Sequence, residues 1–127
     1  MAITISIVGS INITDGQTGT VAYTKLFAGL AMTGSAFTEL QTASIGTSPV
    51  SISLPISPTQ FVYIKNLHPS QTLSVTWTPN GGGLNPVVTL EPGSAITFLE
   101  AAGGAGITAL SLTGSGAGTT AEFVLGG

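Results

Sequence analysis

The chain has no cysteine and no arginine, and its only lysines are Lys25 and Lys65. Without cysteine no disulfide can staple the fold, so a core must do that work, and reducing and oxidising surroundings act on it alike. Charge is scarcer still. Asp, Glu, Lys and Arg make up 6% of the residues, against about 25% in a typical soluble domain. Nucleic acid needs a stripe of Lys and Arg to neutralise phosphates, and an anionic membrane surface needs a basic patch. A net charge of -3 with two cations supplies neither. Long apolar runs are missing too. Mean hydropathy is high at +0.53, yet the longest run, Leu26-Phe-Ala-Gly-Leu-Ala-Met32, falls well short of the ~18 residues of a membrane span. The amino terminus lacks the basic region of a signal peptide, so neither a secretory signal nor a transmembrane segment is expected.

What remains is a Ser/Thr/Gly-rich, nearly neutral chain of 127 residues, long enough to bury one core as a single domain over 1–127. A surface with so little charge does little to keep copies apart in solution. It suits a protein that works packed into something larger.

Period-two alternation runs from end to end. Ile3, Ile5 and Ile7 alternate with Thr4 and Ser6, and after Gly9-Ser10 the pattern resumes at Ile11 and Ile13, up to the turn signal Asp15-Gly16. Residues 2–13 thus read as an extended arm. Val21 to Phe27 is β-leaning; Ala28 to Thr42 fits a short helix or a loop plus a strand through Phe37 to Ala43 about equally. Further strands follow over Val50 to Leu54, Phe61 to Asn66, Leu73 to Trp77, Val87 to Leu90, Ala95 to Leu99, Ile107 to Leu112 and Thr120 to Leu125. Phe61 to Pro79 reads as a hairpin turning at His68-Pro69, and Glu91-Pro-Gly-Ser94 as a type II turn across which Ala95 to Leu99 pairs back. Short strands with turn signals every eight to twelve residues predict an all-β protein, an antiparallel β-sandwich or jelly roll of about eight strands.

Catalytic constellations find little material. The chain has one histidine, His68, and one aspartate, Asp15, so a Ser-His-Asp triad has a single possible composition. His68 precedes Pro69 and reads as an exposed turn residue. Trp77, alternating with Leu73 and Val75, reads as a core anchor rather than a stacking platform. The glycine clusters at 81–83, 103–106 and 114–118 lack the helix and lysine of a phosphate loop. Glu91 and Glu100 are expected at the same end of one hairpin, without the cleft that a glycosidase pair requires. No His/Cys cluster offers a zinc site, and Asp15-Gly16 lacks the companion acids of a calcium loop. The expectation is a non-enzymatic protein with no cofactor and no metal.

Three stretches in order carry a resemblance: Gln41-Thr-Ala-Ser-Ile-Gly-Thr47 before the strand Val50 to Leu54, then Phe61-Val-Tyr-Ile-Lys-Asn66, then Val87-Val-Thr-Leu-Glu-Pro-Gly93 before Ala95 to Phe98. Over about residues 40 to 100 the chain resembles small bacteriophage virion proteins, β-sandwich or jelly-roll modules that decorate or cement capsids or sit in tails. The resemblance implies localisation in the virion. The partners it implies are a major capsid or tail protein and further copies of the chain, as a homo-oligomer such as a trimer. Its scarcity of charge departs from some of these proteins.

Two surfaces are expected to make those contacts. One is the arm with Ile3, Ile5, Ile7, Ile11 and Ile13, suited to strand addition at another chain's sheet edge. The other is the glycine loop Asn80, Gly81, Gly82, Gly83, Leu84 and Asn85, able to adapt to a partner. A tail or fibre module for a host receptor or glycan shares the expected fold but calls for exposed loop aromatics. A surface-layer or fimbrial subunit shares the low charge but calls for a secretory signal.

Overall fold

A computed structural model describes residues 3–14, 21–34, 36–99 and 104–127. Among them every regular element is a strand: β1 Ile3–Thr14, β2 Val21–Gly34, β3 Gln41–Ile45, β4 Val50–Ile52, β5 Phe61–Asn66, β6 Leu73–Pro79, β7 Val87–Leu90, β8 Ala95–Leu99, β9 Ile107–Gly114 and β10 Thr119–Gly126. The last eight form two four-stranded sheets, β3-β10-β5-β8 and β4-β9-β6-β7, antiparallel throughout.

The pairing within those sheets is nested. β3 pairs with β10, β4 with β9, β5 with β8 and β6 with β7. A single long hairpin, folded at β6–β7 and then wound so that successive strands alternate between two sheets, gives this order. That is the jelly roll, one of the two architectures expected from the strand pattern.

Alternation produces the core. Along β10, Thr119, Ala121, Phe123 and Leu125 are buried while the residues between them are half-exposed; β9 repeats this with Leu110 and Leu112. Ile45, Val62, Ile64, Leu73, Val75 and Leu90 complete the buried cluster, and Trp77, Ile96 and Phe98 pack at its margin. Each fully buried aliphatic side chain contributes about 1.5–3 kcal/mol relative to exposure. Trp77 stacks on Phe98 with centroids 4.8 Å apart, joining β6 of one sheet to β8 of the other. It serves the core, as its place in the alternation indicates.

Two local readings of the sequence are corrected by this topology. Phe61 to Pro79 is no hairpin, because β5 and β6 lie in different sheets and His68-Pro69 belongs to the connection between them. Glu91-Pro-Gly-Ser94 does form its turn: Ser94 N–H donates to Glu91 O at 2.9 Å and Gly93 has φ 77°. But β8 pairs with β5 rather than back onto β7. Glu91 opens the turn that leads into β8; Glu100, its expected neighbour, is outside the described residues. In both cases the turn is local but the hydrogen-bonding partner is remote, as winding a long hairpin requires. The open region Ala28 to Thr42 is strand through Gly34, an isolated bridge at Phe37, and strand again from Gln41.

β1 and β2 form a sheet of their own, running from Ile3↔Gly34 to Thr14↔Val21 with a register shift between Ile7 and Gly9. The arm is thus one strand of a ribbon rather than a lone extended segment, and β2 is twice the length that its first seven residues suggest.

Candidate functional site

Nesting sorts the connections into two ends. At one end lie the turns β3–β4, β5–β6, β7–β8 and β9–β10. At the other lie the chain's entry from β2, the loops β4–β5, β6–β7 and β8–β9, and the carboxyl-terminal Gly127.

The turn end is closed by a polar network around Asn66. Asn66 is fully buried, and its Nδ2 donates to the carbonyls of Gln71 (2.7 Å), Leu90 (3.2 Å) and Glu91 (3.3 Å), while its Oδ1 accepts from the His68 N–H at 3.0 Å. His68 Nδ1 accepts from the backbone N–H groups of Ser70 (3.2 Å) and Gln71 (2.9 Å). The imidazole is half-buried and spent on shaping the turn. Gln71 continues the network: Thr119 Oγ1 donates to Gln71 Oε1 at 2.6 Å, and Gln71 Nε2 to Ala117 O at 3.3 Å. Thr72 N–H donates to Ser115 Oγ at 3.0 Å, and Ser115 N–H to Thr72 O at 3.0 Å. These bonds fasten connections of both sheets to one another. The arrangement is structural. Asp15, the other member of the only possible triad, lies outside the described residues.

The loop end is different. Asn80 ties the base of its loop to the β8–β9 connection, with N–H donating to Gly106 O and Nδ2 to Ala105 O, each at 2.9 Å. Gln60 Nε2 donates to Gly104 O at 2.5 Å, and Ile107 N–H to Thr59 O at 2.9 Å. Beyond Asn80 the chain makes a glycine arch, with φ 109° at Gly81, 83° at Gly82 and 119° at Gly83, a region that side-chain-bearing residues rarely enter. All six predicted loop residues, Asn80 to Asn85, are exposed. Leu84 is 92% exposed and Val87, three residues on, 62%. Two large apolar side chains thus stand in water, one on the loop and one at the start of β7.

Val87 could have been found from the sequence: β7 turns Val88 and Leu90 inward, so Val87 shares the outward parity of Thr89. Leu40, 60% exposed beside the edge strand β3, sits in a segment without alternation and gave no such signal. The five predicted arm isoleucines all fall on β1, where the register sets Ile3 opposite Gly34, Ile5 opposite Met32, Ile7 opposite Leu30, Ile11 opposite Lys25 and Ile13 opposite Tyr23. The segment that follows β2 is fixed at the loop end: Ala36 and Gly127 exchange backbone hydrogen bonds of 3.0 and 3.1 Å, and Thr38 N–H donates to Leu125 O at 2.8 Å. The chain therefore emerges from the sandwich at the same end as the glycine arch.

On the outside of the first sheet, Tyr63 OH donates to Glu122 Oε1 at 2.9 Å. Burial raises the phenol's pKa above its ordinary value, and the bond to the Glu122 carboxylate and that group's charge raise it further. Tyr63 is half-buried on this outer face, not in the core. Among the described residues no three His, Cys, Asp or Glu side chains gather as a metal set, and no pocket is found.

No known protein-family profile and no curated protein matches the chain. One solved structure does, that of Bacillus endospore appendages, described as a novel family of disulfide-linked pili. Its TM-score is 0.52 at 12% identity, over 72% of this chain and 83% of that one. The likeness is one of fold.

Proposed function

We propose that the chain is a non-enzymatic structural subunit of a many-copy assembly, joined to its neighbours by the β1–β2 ribbon and the glycine loop. The ribbon carries the reading. A two-stranded sheet of this kind is marginal by itself in water, and its outer edges offer unpaired N–H and C=O groups as templates for further strands. Among the described residues no strand of the sandwich pairs with it. A sheet edge of a neighbouring subunit satisfies both needs by strand addition. Leu84 and Val87 add an apolar contact at the end from which the chain emerges, and scarcity of charge removes the repulsion that would keep copies apart.

Two assemblies fit. The fold likeness to a pilus subunit supports a surface appendage; residues 1–127 contain no cysteine, so here such an appendage would be held without disulfides from this segment. The sequence resemblance supports a virion, with the chain cementing a major capsid or tail protein. Proteins that co-purify with assembled particles distinguish them: copies of this chain alone in a filament mark an appendage, and a fixed ratio to a coat protein marks a virion.

The reading itself is tested by deleting residues 2–13. The truncated chain is expected to keep the sandwich's melting transition and to lose incorporation into particles, followed by sedimentation and electron microscopy. Unchanged incorporation would overturn the role of the ribbon.

A further inference from the structure

We propose that the Asn80-Gly81 peptide is a site of spontaneous covalent modification, at which Asn80 becomes aspartate and isoaspartate through a cyclic succinimide. The chain has four asparagines, Asn12, Asn66, Asn80 and Asn85, followed by Ile13, Leu67, Gly81 and Pro86. Ring closure brings the backbone nitrogen of the following residue onto the asparagine Cγ. A β-branched or bulky neighbour hinders that approach, and proline has no N–H to lose.

The structure separates these four further. Asn66 is fully buried, with its carboxamide held by three carbonyls. Asn80 is exposed at the start of the glycine arch, and the space where a side chain on Gly81, Gly82 or Gly83 would stand is open. Three successive glycines give the backbone the freedom to reach the cyclising geometry. The backbone here is held by Asn80 N–H on Gly106 O at 2.9 Å and Gly82 N–H on Pro79 O at 3.4 Å, and the reacting carboxamide by the 2.9 Å bond from its Nδ2 to Ala105 O. Both partners of that side-chain bond are exposed, so water readily takes the place of either.

The step balances with water alone. The Gly81 nitrogen gives up its proton to solvent base and bonds to Asn80 Cγ. The Cγ–Nδ2 bond breaks, and ammonia leaves carrying a proton. Water then opens the ring at one of its two carbonyls, giving aspartate if the side-chain link is restored to an acid and isoaspartate if the main chain is rerouted through Cγ. One water enters and one ammonia leaves.

The product changes this end of the molecule. A carboxylate replaces the amide, so the donor to Ala105 O is gone and an oxygen faces an oxygen. The formal net charge moves from -3 to -4, one unit more negative than the sequence value. The arch bearing Leu84 loses its side-chain tie to the β8–β9 connection, keeping only the backbone bond of residue 80 to Gly106 O, and gains a charge, so that the neutral patch is altered with age. The chemistry needs only the isolated chain and stands apart from the assembly reading.

Peptide mapping by mass spectrometry of the pure full-length chain, held at mildly alkaline pH and body temperature, tests it. The peptide containing Asn80 is expected to gain about 1 Da and to split into two products. One of these should accept a methyl group from an isoaspartyl carboxyl methyltransferase. Asn80→Gln, which cyclises far less readily, should abolish both signals. An Asn80 that stays an amide as long as Asn12, Asn66 and Asn85 overturns the proposal. Asn80→Asp tests the consequence separately: faster hydrogen exchange at the residue-80 amide, which bonds Gly106 O, supports release of the arch, and wild-type exchange there refutes it.

Discussion

The rings of Phe37 and Phe61 meet edge to face over Gly126, their centroids 6.0 Å apart and their planes at 73°. Phe37 bridges to Gly126, and Gly126 pairs with Phe61, so the three residues form a row across adjacent strands. Strands two apart in a sheet lie roughly 9.5 Å from one another, and two aromatic rings close that gap only where the middle residue has no side chain. A methyl group built on Gly126 would overlap the Phe37 ring. Gly126→Ala is therefore expected to push Phe37 off the sheet and to destabilise the domain by about 1–3 kcal/mol, read as a lowered denaturation midpoint. The loss should be accompanied by faster exchange at the Thr38 amide, which bonds Leu125 O.

Asn66→Ala removes one buried amide and orphans what it served. Three carbonyls lose a donor and the His68 N–H loses its acceptor, and a buried polar group left unpaired costs about 1–3 kcal/mol. Water entering the opened turn offsets part of this, so about 2–4 kcal/mol is expected in urea denaturation. Asn66→Asp is expected to be worse at neutral pH, because a carboxylate would then face the same three carbonyls.

The two strands that flank Asn66 also show how far the sequence could be read. Alternation separates Phe61 and Tyr63 from Val62 and Ile64 without saying which face is the core: Tyr63, expected to pack inward, lies on the outer face, whereas Val62 and Ile64 are fully buried, as are Leu73 and Val75. Turn chemistry at Glu91-Pro-Gly-Ser94 announced its geometry down to the positive φ of Gly93. Neither signal reports which strand a segment pairs with. Pairing depends on residues far along the chain, so Phe61 to Pro79 looks like a hairpin in sequence although its halves belong to opposite sheets. Of the site, the exposure of Leu84 followed from its glycine neighbours. The buried role of Asn66 did not, because an asparagine at a strand end looks the same whether its carboxamide faces water or three carbonyls.

Tyr63 gives the fold a dependence on alkaline pH. The ordinary tyrosine value is about 10, and in the folded chain burial and Glu122 raise it. A folded state that holds its proton more tightly than the unfolded one loses stability where only the unfolded state ionises. Stability should therefore be level up to about pH 10 and fall as pH rises from there through the folded value. In Tyr63→Phe that part of the fall should disappear, as measured by denaturation free energy at a series of alkaline pH values.

The exposed pair Leu84 and Val87 touches little of the fold, so Leu84→Ser with Val87→Thr is expected to change stability by no more than about 0.5 kcal/mol. Assembly should weaken sharply, since two apolar anchors leave a contact that has few charges to compensate. For the same reason, assembly of the unaltered chain should hardly change between low and high salt, there being few ion pairs to screen. Light scattering across a salt series checks both; a steep loss with added salt would point to an electrostatic contact instead.

Nested pairing also dictates the order in which this chain can fold. Of the nested pairs only the innermost, β6 with β7, joins strands that are near neighbours in sequence, across the glycine arch. Every later pair closes a longer loop, and the last, β3 with β10, must bring Ile45 to Thr119. Loop closure grows more costly with length, and proteins dominated by such remote pairings fold in milliseconds to seconds rather than microseconds. Until β10 docks between β3 and β5, two sheet edges lie open in a chain with little charge to hold other copies away. The neutrality on which the proposed assembly of the finished subunit relies thus leaves the unfinished one exposed to disordered association, and yield on refolding should fall steeply as protein concentration rises.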